Sequence, residues 1–478
     1  MRGDGRTGVL VGVILLYLAL RVPLLLAREP FFDELLTVWY AKKPVTQHWS
    51  ILVRDSGSPL YTAVARACEL VAGFTVGSGR ILSMIFGLGA LILCFRLYGL
   101  AAAAALAAYP AHVFFSTEAR AYSLAAMLIG VAALCLYRWN GVPRSAGAGE
   151  NSGASSIRWL IAGTLALVLA AYTHSYGVLF FPLPFVLALL RRHSGILHGL
   201  LASAAAGVLF LPGFWLASQQ PLASIDWMRA ESLAGRLWLV AGSFLQLGYA
   251  APYQPLFLTT PHVLLQIVSA LVVGAVVIAG VTRSESARFF AVFILVPIAA
   301  LFAFAAAGRT FYFPTRFEST LSVPFALLLA SALLVIPRKA SIAALTALVA
   351  IGSLVAIRSA AGHTAQPSTP YRIVAEFISR HAPANEPLVA SGYAYLELIS
   401  ATDERRTRAF PSEQAVHPGW IAPSDRAVLR GELGGLPARF VWMGVAGTAE
   451  AQVLEERFSL RMIFNDGRVV AALAEEKS

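Results

Sequence analysis

The residues best suited to chemistry in this sequence are acids and arginines that stand beside long apolar segments. The stretch REPFFDELLTVWY carries the adjacent carboxylates Asp33 and Glu34, STEARAYSL carries Glu118 and Arg120, and TRFESTLSVP carries Arg316. A carboxylate can take a proton from a hydroxyl group, and arginine binds phosphate through paired hydrogen bonds. A pocket shared by these groups would combine a proton acceptor with donors for an anion.

The composition indicates a membrane protein with many spans. The chain has 478 residues, of which 58% are hydrophobic and 13% charged, whereas an average soluble protein has about 25% charged residues. Its mean hydropathy is +0.68. The net charge of +11 does not indicate nucleic-acid binding, because Lys and Arg collect in cytoplasmic loops of membrane proteins. The three widely spaced cysteines indicate neither a disulfide framework nor a zinc site.

Apolar runs long enough to cross a bilayer predict about eleven transmembrane helices. We interpret the first run as a retained helix rather than a signal peptide, because it is long and many spans follow. Residues 59–74 are bounded by Pro59 and Gly73 and fit an amphipathic surface helix better than a span. The predicted spans are 8–27, 79–98, 100–116, 121–138, 157–173, 176–190, 197–217, 262–281, 288–307, 319–336 and 341–358.

The distribution of Lys and Arg predicts which loops face outwards. With the N-terminus inside, these residues are about twofold denser in the cytoplasmic segments than in the outer ones. This orientation places the large loops 28–78 and 218–261 outside. Residues 359–478 have mixed charge and short apolar runs, which predict a small extracytoplasmic α/β domain after a membrane domain of residues 1–358.

The outer motifs resemble a known family. FFDE in the first outer loop, STEARAYSL after the third span, THSYG after the fifth and TRFESTLSVP near the ninth are similar to motifs of bacterial GT-C glycosyltransferases. The similar enzymes are of the protein-mannosyltransferase and aminoarabinose-transferase type, and the resemblance covers roughly residues 1–340. It implies the GT-C fold in the bacterial inner membrane, with an active site that faces the periplasm.

The resemblance also implies a reaction. Such enzymes move a sugar from a polyprenyl-phosphate carrier to a lipid, glycan or protein acceptor, and we expect a single displacement with inversion. Asp33 matches the acidic catalytic position and is predicted to be the general base. Glu34 is predicted to orient the base or the acceptor, because neighbours on a helix point about 100° apart. An alternative for both acids is stabilisation of the N-terminus of a surface helix.

Three further residues are predicted to hold the donor phosphate. Arg120 and Tyr122 match the family's Arg-x-Tyr pattern, and Arg316 stands where the family often has Arg-Tyr, although Phe317 replaces the tyrosine here. The structural alternative for Arg120 is an interfacial arginine that extends to lipid headgroups beside a belt tyrosine.

Two further candidates would contact the acceptor or support the site. Glu118 is predicted to orient Arg120 or contact the sugar, with a surface salt bridge as the alternative. His174 is predicted to bond the substrate or a carboxylate, with a structural role at a helix end as the alternative. No metal-ligand set is predicted. Since some GT-C enzymes use a divalent ion, the expectation of no cofactor leaves a divalent cation open.

The main rival interpretation is a transporter or lipid flippase. Transporters tend to place ionisable residues near the middle of the membrane, between repeats. Here the acids lie in outer turns, and the clearest charges near spans, Arg21 and Arg96, stand towards helix ends. This arrangement favours the enzyme, whose expected partners are the lipid-linked donor, its acceptor and membrane lipids, without nucleic acid.

Overall fold

A computed structural model provides the fold. It describes residues 3–54, 58–141, 157–190, 195–219, 232–245, 249–251, 254–255, 263–307, 316–364, 369–402, 404–412 and 426–477.

Long apolar helices make up most of the chain. They begin with α1 (Gly3–Ala27), α2 (Phe32–Lys42), α3 (Val45–Arg54), α4 (Pro59–Ala72), α5 (Val76–Tyr98), α6 (Leu100–Ala108), α7 (Pro110–Phe115), α8 (Tyr122–Trp139) and α9 (Ile157–Thr173). After a 3₁₀ helix (Ser175–Phe180) follow α10 (Leu183–Leu190), α11 (Ile196–Leu209), α12 (Leu211–Gln219), α13 (Leu233–Leu245), α14 (Val263–Arg283), α15 (Glu285–Ala306), α16 (Arg316–Thr320), α17 (Ser322–Leu333) and α18 (Arg338–Thr364).

The protein is a multi-pass membrane protein, and each predicted span coincides with helix. In the described part of the chain, five helices are long and apolar enough to cross a bilayer, or six if the bent pair α11–α12 forms one span. Other predicted spans are shorter or interrupted. The run 100–116 breaks at Tyr109, before Pro110, because proline cannot donate a backbone hydrogen bond and restricts the preceding residue.

The core of the membrane part is built from helices that approach closely. The sequence of α6 is LAAAAALAA, and its small side chains let α1, α5, α17 and α18 pack against it. A Cβ atom at Gly352 of α18 would lie only 2.3 Å from the Ala108 carbonyl oxygen of α6, so glycine is required there. Small residues at helix interfaces are typical of membrane bundles. The described residues of α17 are all buried.

The first loop that is predicted to face outwards, 28–78, contains α2, α3 and α4 in its described part. Helix α2 begins directly after the turn that follows α1, and its first turn carries Asp33 and Glu34, where negative charge is favoured by the helix dipole. Helix α4 covers the predicted surface segment. Its 14 residues span about 21 Å, shorter than the hydrocarbon thickness of about 30 Å. The second large loop, 218–261, is described only in part: it contains α13 and a short pair of strands, β1 (Tyr249–Ala251) and β2 (Gln254–Pro255).

The C-terminal part forms a mixed sheet with helices, as predicted. Strand order is β4-β3-β5-β7-β6, with parallel pairing among the first three strands and antiparallel pairing among the last three. The elements are α19 (Pro370–His381), β3 (Leu388–Ala390), α20 (Tyr393–Ala401), β4 (Thr407–Ala409), α21 (Arg426–Glu432), β5 (Arg439–Val445), α22 (Ala449–Arg457), β6 (Phe458–Asp466) and β7 (Val469–Glu476). The division at residue 358 stays a prediction, and α18 continues past it to Thr364.

The C-terminal sheet domain packs on the outer face of α2. Leu35, Leu36, Trp39 and Tyr40 share one buried apolar cluster with residues of α19, α20 and the sheet. The Lys43 ammonium also forms an ion pair with Glu404 of the domain. Helix α2 is therefore held between the C-terminal domain and the membrane helices, which fixes the position of its first turn.

Candidate active site

Asp33 pairs with an arginine that is 283 positions away in the chain. Arg316, the first residue of α16, donates from Nη2 to Asp33 Oδ2 at 2.6 Å. Their side chains are 16% and 7% exposed, respectively. Burial raises the pKa of the Asp33 carboxyl, but the guanidiniums of Arg316 and Arg120 outweigh it and hold this pKa below its ordinary value. Asp33 is therefore ionised at neutral pH.

Arg120 contacts the backbone of the first turn of α2. Its Nη1 donates to the Asp33 carbonyl oxygen and to Thr37 Oγ1, each at 3.2 Å. Thr37 in turn donates to the same carbonyl at 2.9 Å. The half-buried Arg120 guanidinium is thus fixed to the backbone that carries Asp33, and the structure brings Asp33, Arg120 and Arg316 together, as the sequence predicts.

Glu34 is fully buried and engaged by protein groups. Its Oε1 accepts from Arg80 Nε at 2.8 Å and from the Ala119 amide at 2.9 Å, and its Oε2 accepts from Arg80 Nη2 at 2.6 Å. The Phe31 amide also donates to Oε2 at 3.4 Å. These donors occupy both oxygens of a carboxylate that is 0% exposed. The geometry favours an orienting role for Glu34 over contact with an acceptor.

Glu118 is a buried acid in the turn between α7 and α8. Arg28 Nη2 lies 3.3 Å from its Oε1 and 3.6 Å from Oε1 of Glu34. Burial raises the pKa of Glu118 to about 7, against the opposing effect of the Arg28 guanidinium. The alternative of a surface salt bridge is wrong, since Glu118 is 2% exposed. The Arg120 amide donates to the Glu118 carbonyl oxygen at 2.7 Å, so the backbone of the turn joins these two residues.

Aromatic rings form one wall of the site. The Tyr122 ring lies 5.2 Å from the His174 ring, and the guanidinium carbon of Arg316 lies 5.9 Å from the Tyr122 ring centre. The Tyr176 amide donates to His174 Nδ1 at 3.3 Å, so His174 caps the following 3₁₀ helix. Burial, reinforced by Arg120 and Arg316, lowers the pKa of His174 to about 3. His174 is thus neutral at physiological pH and packs beside the arginines.

Two arginines of this network were missed by sequence reasoning. Arg80 lies within the predicted span 79–98, and Arg28 directly follows the first predicted span. The available signal was a charge close to long apolar runs, because buried arginines in such places need partners. Among the described residues, groups of three or more His, Cys, Asp or Glu side chains that could hold a metal ion are not found. Whether the protein uses a divalent cation therefore stays open.

Comparison with solved structures identifies the architecture. The chain resembles ArnT from Cupriavidus metallidurans bound to undecaprenyl phosphate, with a TM-score of 0.65 and 13% identity over 99% of this chain and 98% of that one. It also resembles the apo state of ArnT from Cupriavidus metallidurans, with a TM-score of 0.60 and 14% identity over the same shares. ArnT is a GT-C glycosyltransferase. The chain has the GT-C fold. No protein-family model and no curated protein matches the sequence.

The predicted fold class is therefore confirmed. A multi-pass helical GT-C membrane protein carries a small C-terminal domain that contains a sheet. The roles assigned to Asp33, Glu34, Glu118, Arg120 and the other site residues stay predictions.

Proposed function

We propose that the protein is a membrane glycosyltransferase that moves a sugar from a polyprenyl-phosphate carrier to an acceptor hydroxyl. One observation carries the proposal: just after the first helix of a GT-C fold, the Asp33 carboxylate pairs with Arg316 while Arg120 donates to the Asp33 carbonyl oxygen. A lipid carrier would bring its phosphate and sugar to this level, because its chain is anchored in the hydrocarbon.

Asp33 acts as the general base in this proposal. The acceptor oxygen attacks the anomeric carbon and transfers its proton to the Asp33 carboxylate, while the bond from that carbon to the phosphate oxygen breaks. The bonding electrons leave with the phosphate, which departs as an anion and needs no proton. A single displacement inverts the anomeric configuration.

Arg316 links donor binding to the freeing of the base. Without a donor, its Nη2 is engaged by Asp33 at 2.6 Å. A donor phosphate would compete for the same guanidinium, since arginine binds phosphate as it binds carboxylate. Departure of Arg316 from Asp33 would release a carboxylate oxygen to accept the proton of the acceptor. The basicity of Asp33 would then rise when the donor is in place.

Arg120 and the aromatic wall complete the donor site. Arg120 is anchored by one Nη atom on the backbone of α2, and we assign to its guanidinium stabilisation of the departing phosphate. Tyr122 and neutral His174 would form the side of the pocket. The Lys and Arg bias of the loops supports a site on the outer, periplasmic side of a bacterial inner membrane.

The contacts of Arg21, which lies within the first predicted span, do not support the rival transporter interpretation. Arg21 of α1 is fully buried, and its three nitrogens bond Ser116 Oγ, His112 Nδ1 and the carbonyl oxygens of Tyr17 and Ala107. An arginine held in this way stabilises the contact between α1 and the α6–α7 segment rather than carrying an ion.

A reconstituted transfer assay tests the proposal. Proteoliposomes would receive labelled polyprenyl-phosphate sugars of several kinds, together with membrane-extract acceptors, and the products would be identified by mass. Transfer by the wild type, with a loss of at least about 100-fold in Asp33→Asn, is the expected result. Equal transfer by both proteins would remove Asp33 from the mechanism. Donor movement across the bilayer without transfer would favour the flippase.

A further inference from the structure

A buried arginine lies against the first turn of the helix that carries Asp33. Arg80 belongs to α5, and its side chain is 4% exposed. Its guanidinium holds Glu34 through two parallel bonds, Nε to Oε1 at 2.8 Å and Nη2 to Oε2 at 2.6 Å. Paired bonds of this kind fix both the distance and the orientation of a carboxylate. Glu34 directly follows Asp33 in the chain.

The same guanidinium also holds the connection between α1 and α2. Nη1 donates to the Arg28 carbonyl oxygen at 2.6 Å, and Nη2 donates to the Glu29 carbonyl oxygen at 3.0 Å. Carbonyl groups beyond the end of a helix need partners outside it. Arg80 therefore stabilises the exit of α1 while it holds the start of α2, which leaves Asp33 little freedom to move.

Glu34 extends this connection to the arginine of the neighbouring turn. Its Oε1 accepts from the Ala119 amide at 2.9 Å, and Ala119 is adjacent to Arg120. A single carboxylate thus ties α2, α5 and the turn between α7 and α8 together. The Arg80–Glu34 pair touches neither Arg316 nor the Asp33 carboxylate among the described contacts, so any effect on the reaction must act through position.

We propose that Arg80 is a positioning residue for glycosyl transfer: by clamping Glu34, it sets the placement of Asp33 relative to Arg120. This inference rests on the proposed function and adds to it a residue outside the reacting groups. The role requires arginine itself. Lysine would keep the positive charge, but its single ammonium group cannot reproduce the fork that reaches both Glu34 oxygens and two carbonyl groups.

The test compares Arg80→Lys with a control variant of another arginine that donates to the α2 backbone. Arg66 of α4 donates to the Ala41 carbonyl oxygen at 3.0 Å, at the opposite end of α2 from Asp33, so Arg66→Lys removes an equivalent anchor far from the site. For each variant, kcat and donor KM would be measured in proteoliposomes. Hydrogen exchange of backbone amides would be measured by mass spectrometry without substrate.

The proposal expects a local and selective effect. In Arg80→Lys, kcat falls about 10- to 100-fold, because misplacement by about 1 Å can cost that much. Donor KM changes by less than about 2-fold, since ground-state binding is kept. Amide exchange accelerates in peptides covering 31–37 and 116–121, but not across the chain. Arg66→Lys leaves kcat and the exchange of those peptides unchanged.

Two results would overturn the proposal. Unchanged kcat with unchanged exchange in both peptides would show that Arg80 does not position the turn. Accelerated exchange across the whole chain would show a general contribution to stability instead. If the wild type transfers no sugar from any donor, the proposed function fails, and the exchange pattern still decides whether Arg80 holds these two segments.

Discussion

Asp33 and Glu34 are neighbours in the chain and both are buried, yet different arginines hold their carboxylates. One oxygen of Asp33 accepts a bond from Arg316, whose side chain is partly exposed. Both oxygens of Glu34 are engaged in a fully buried network around Arg80. Because successive helix residues point about 100° apart, one turn of α2 presents an acid to the site and an acid to the protein interior. In this account Asp33 takes part in the reaction, and Glu34 holds the structure around it.

The energetics of the two ion pairs should differ in the same way. Removing one partner of a buried pair leaves an unpaired charge and costs about 3–5 kcal/mol, and this cost falls as the remaining charge gains access to water. The Asp33–Arg316 pair, with side chains 7% and 16% exposed, is less buried than the Glu34–Arg80 pair, with side chains 0% and 4% exposed. The weaker Asp33–Arg316 pair suits a base that the substrate must release from its arginine. The stronger Glu34–Arg80 pair suits a contact that must keep its geometry during the reaction.

The largest effect on stability is expected from breaking the buried pair. Glu34→Ala leaves Arg80 charged and without its carboxylate, which should destabilise the fold by about 3–5 kcal/mol. Asp33→Ala is the matched control and should cost less, because the Arg316 side chain is 16% exposed whereas that of Arg80 is 4% exposed. Thermal unfolding in detergent measures both. Equal losses of stability in the two variants would contradict the expected difference between the Glu34–Arg80 and Asp33–Arg316 pairs.

A smaller loss is expected on the apolar face of α2. Leu36 is 2% exposed and packs in the cluster that joins α2 to the C-terminal domain. Leu36→Ala should destabilise the protein by about 2–5 kcal/mol, towards the lower end if the domain can settle into the space. Val45→Ala, at an exposed position on α3, is the control. A loss of stability no larger than in the control would contradict the docking of the domain on α2.

A pH-dependent effect is expected from Glu118. Its pKa in the folded protein is about 7, above the ordinary 4.5. Between these values the folded protein binds more protons than the unfolded chain, so stability from this group is present at low pH and lost as pH rises through 7. Glu118→Gln removes this dependence and should gain stability relative to the wild type between pH 5 and pH 8. Thermal midpoints that stay parallel across that range would argue against the raised pKa.

The smallest effect is expected at the edge of the domain contact. Lys43 and Glu404 form an ion pair that is partly open to solvent. Lys43→Ala should destabilise the protein by less than about 1 kcal/mol. Thermal midpoints at low and high salt measure the contribution, with the Leu36→Ala variant for comparison. A loss as large as that of Leu36→Ala would mean that charge, rather than apolar burial, holds the domain in place.

Much of the architecture could be predicted because membrane helices leave a strong signal. Runs of about 20 apolar residues mark spans, and the predicted segments coincide with helix. Interruptions within helices were harder to predict, because the run 100–116 stays apolar across Tyr109, where the helix is interrupted. In the C-terminal domain, short apolar runs such as RFVWMGV and VVAALA form strands, here β5 and β7. Strands β4 and β6 were harder to predict because neither is an apolar run: β4 reads TRA with an exposed central residue, and β6 is a largely exposed edge strand.

The site was predictable only where charge stands out against an apolar background. Asp33, Arg120 and Arg316 stand at helix ends, and the structure brings them together. Arg80 was hidden, because a single arginine near the start of a span can be lipid-facing or buried with equal plausibility. The packing of Leu35 and Leu36 against the C-terminal domain was equally hidden, since an apolar helix face does not reveal which surface covers it.

The most direct test of this account measures activity and stability together for Asp33→Asn and Glu34→Gln. Both proteins would be purified in the same detergent, unfolded thermally, and assayed for sugar transfer in proteoliposomes. The account predicts that Asp33→Asn lowers the thermal midpoint less than Glu34→Gln does and loses at least about 100-fold in kcat. Glu34→Gln should lose stability and keep more activity. Full activity in Asp33→Asn, or a larger loss of activity in Glu34→Gln, would contradict the division between a reacting and a supporting acid.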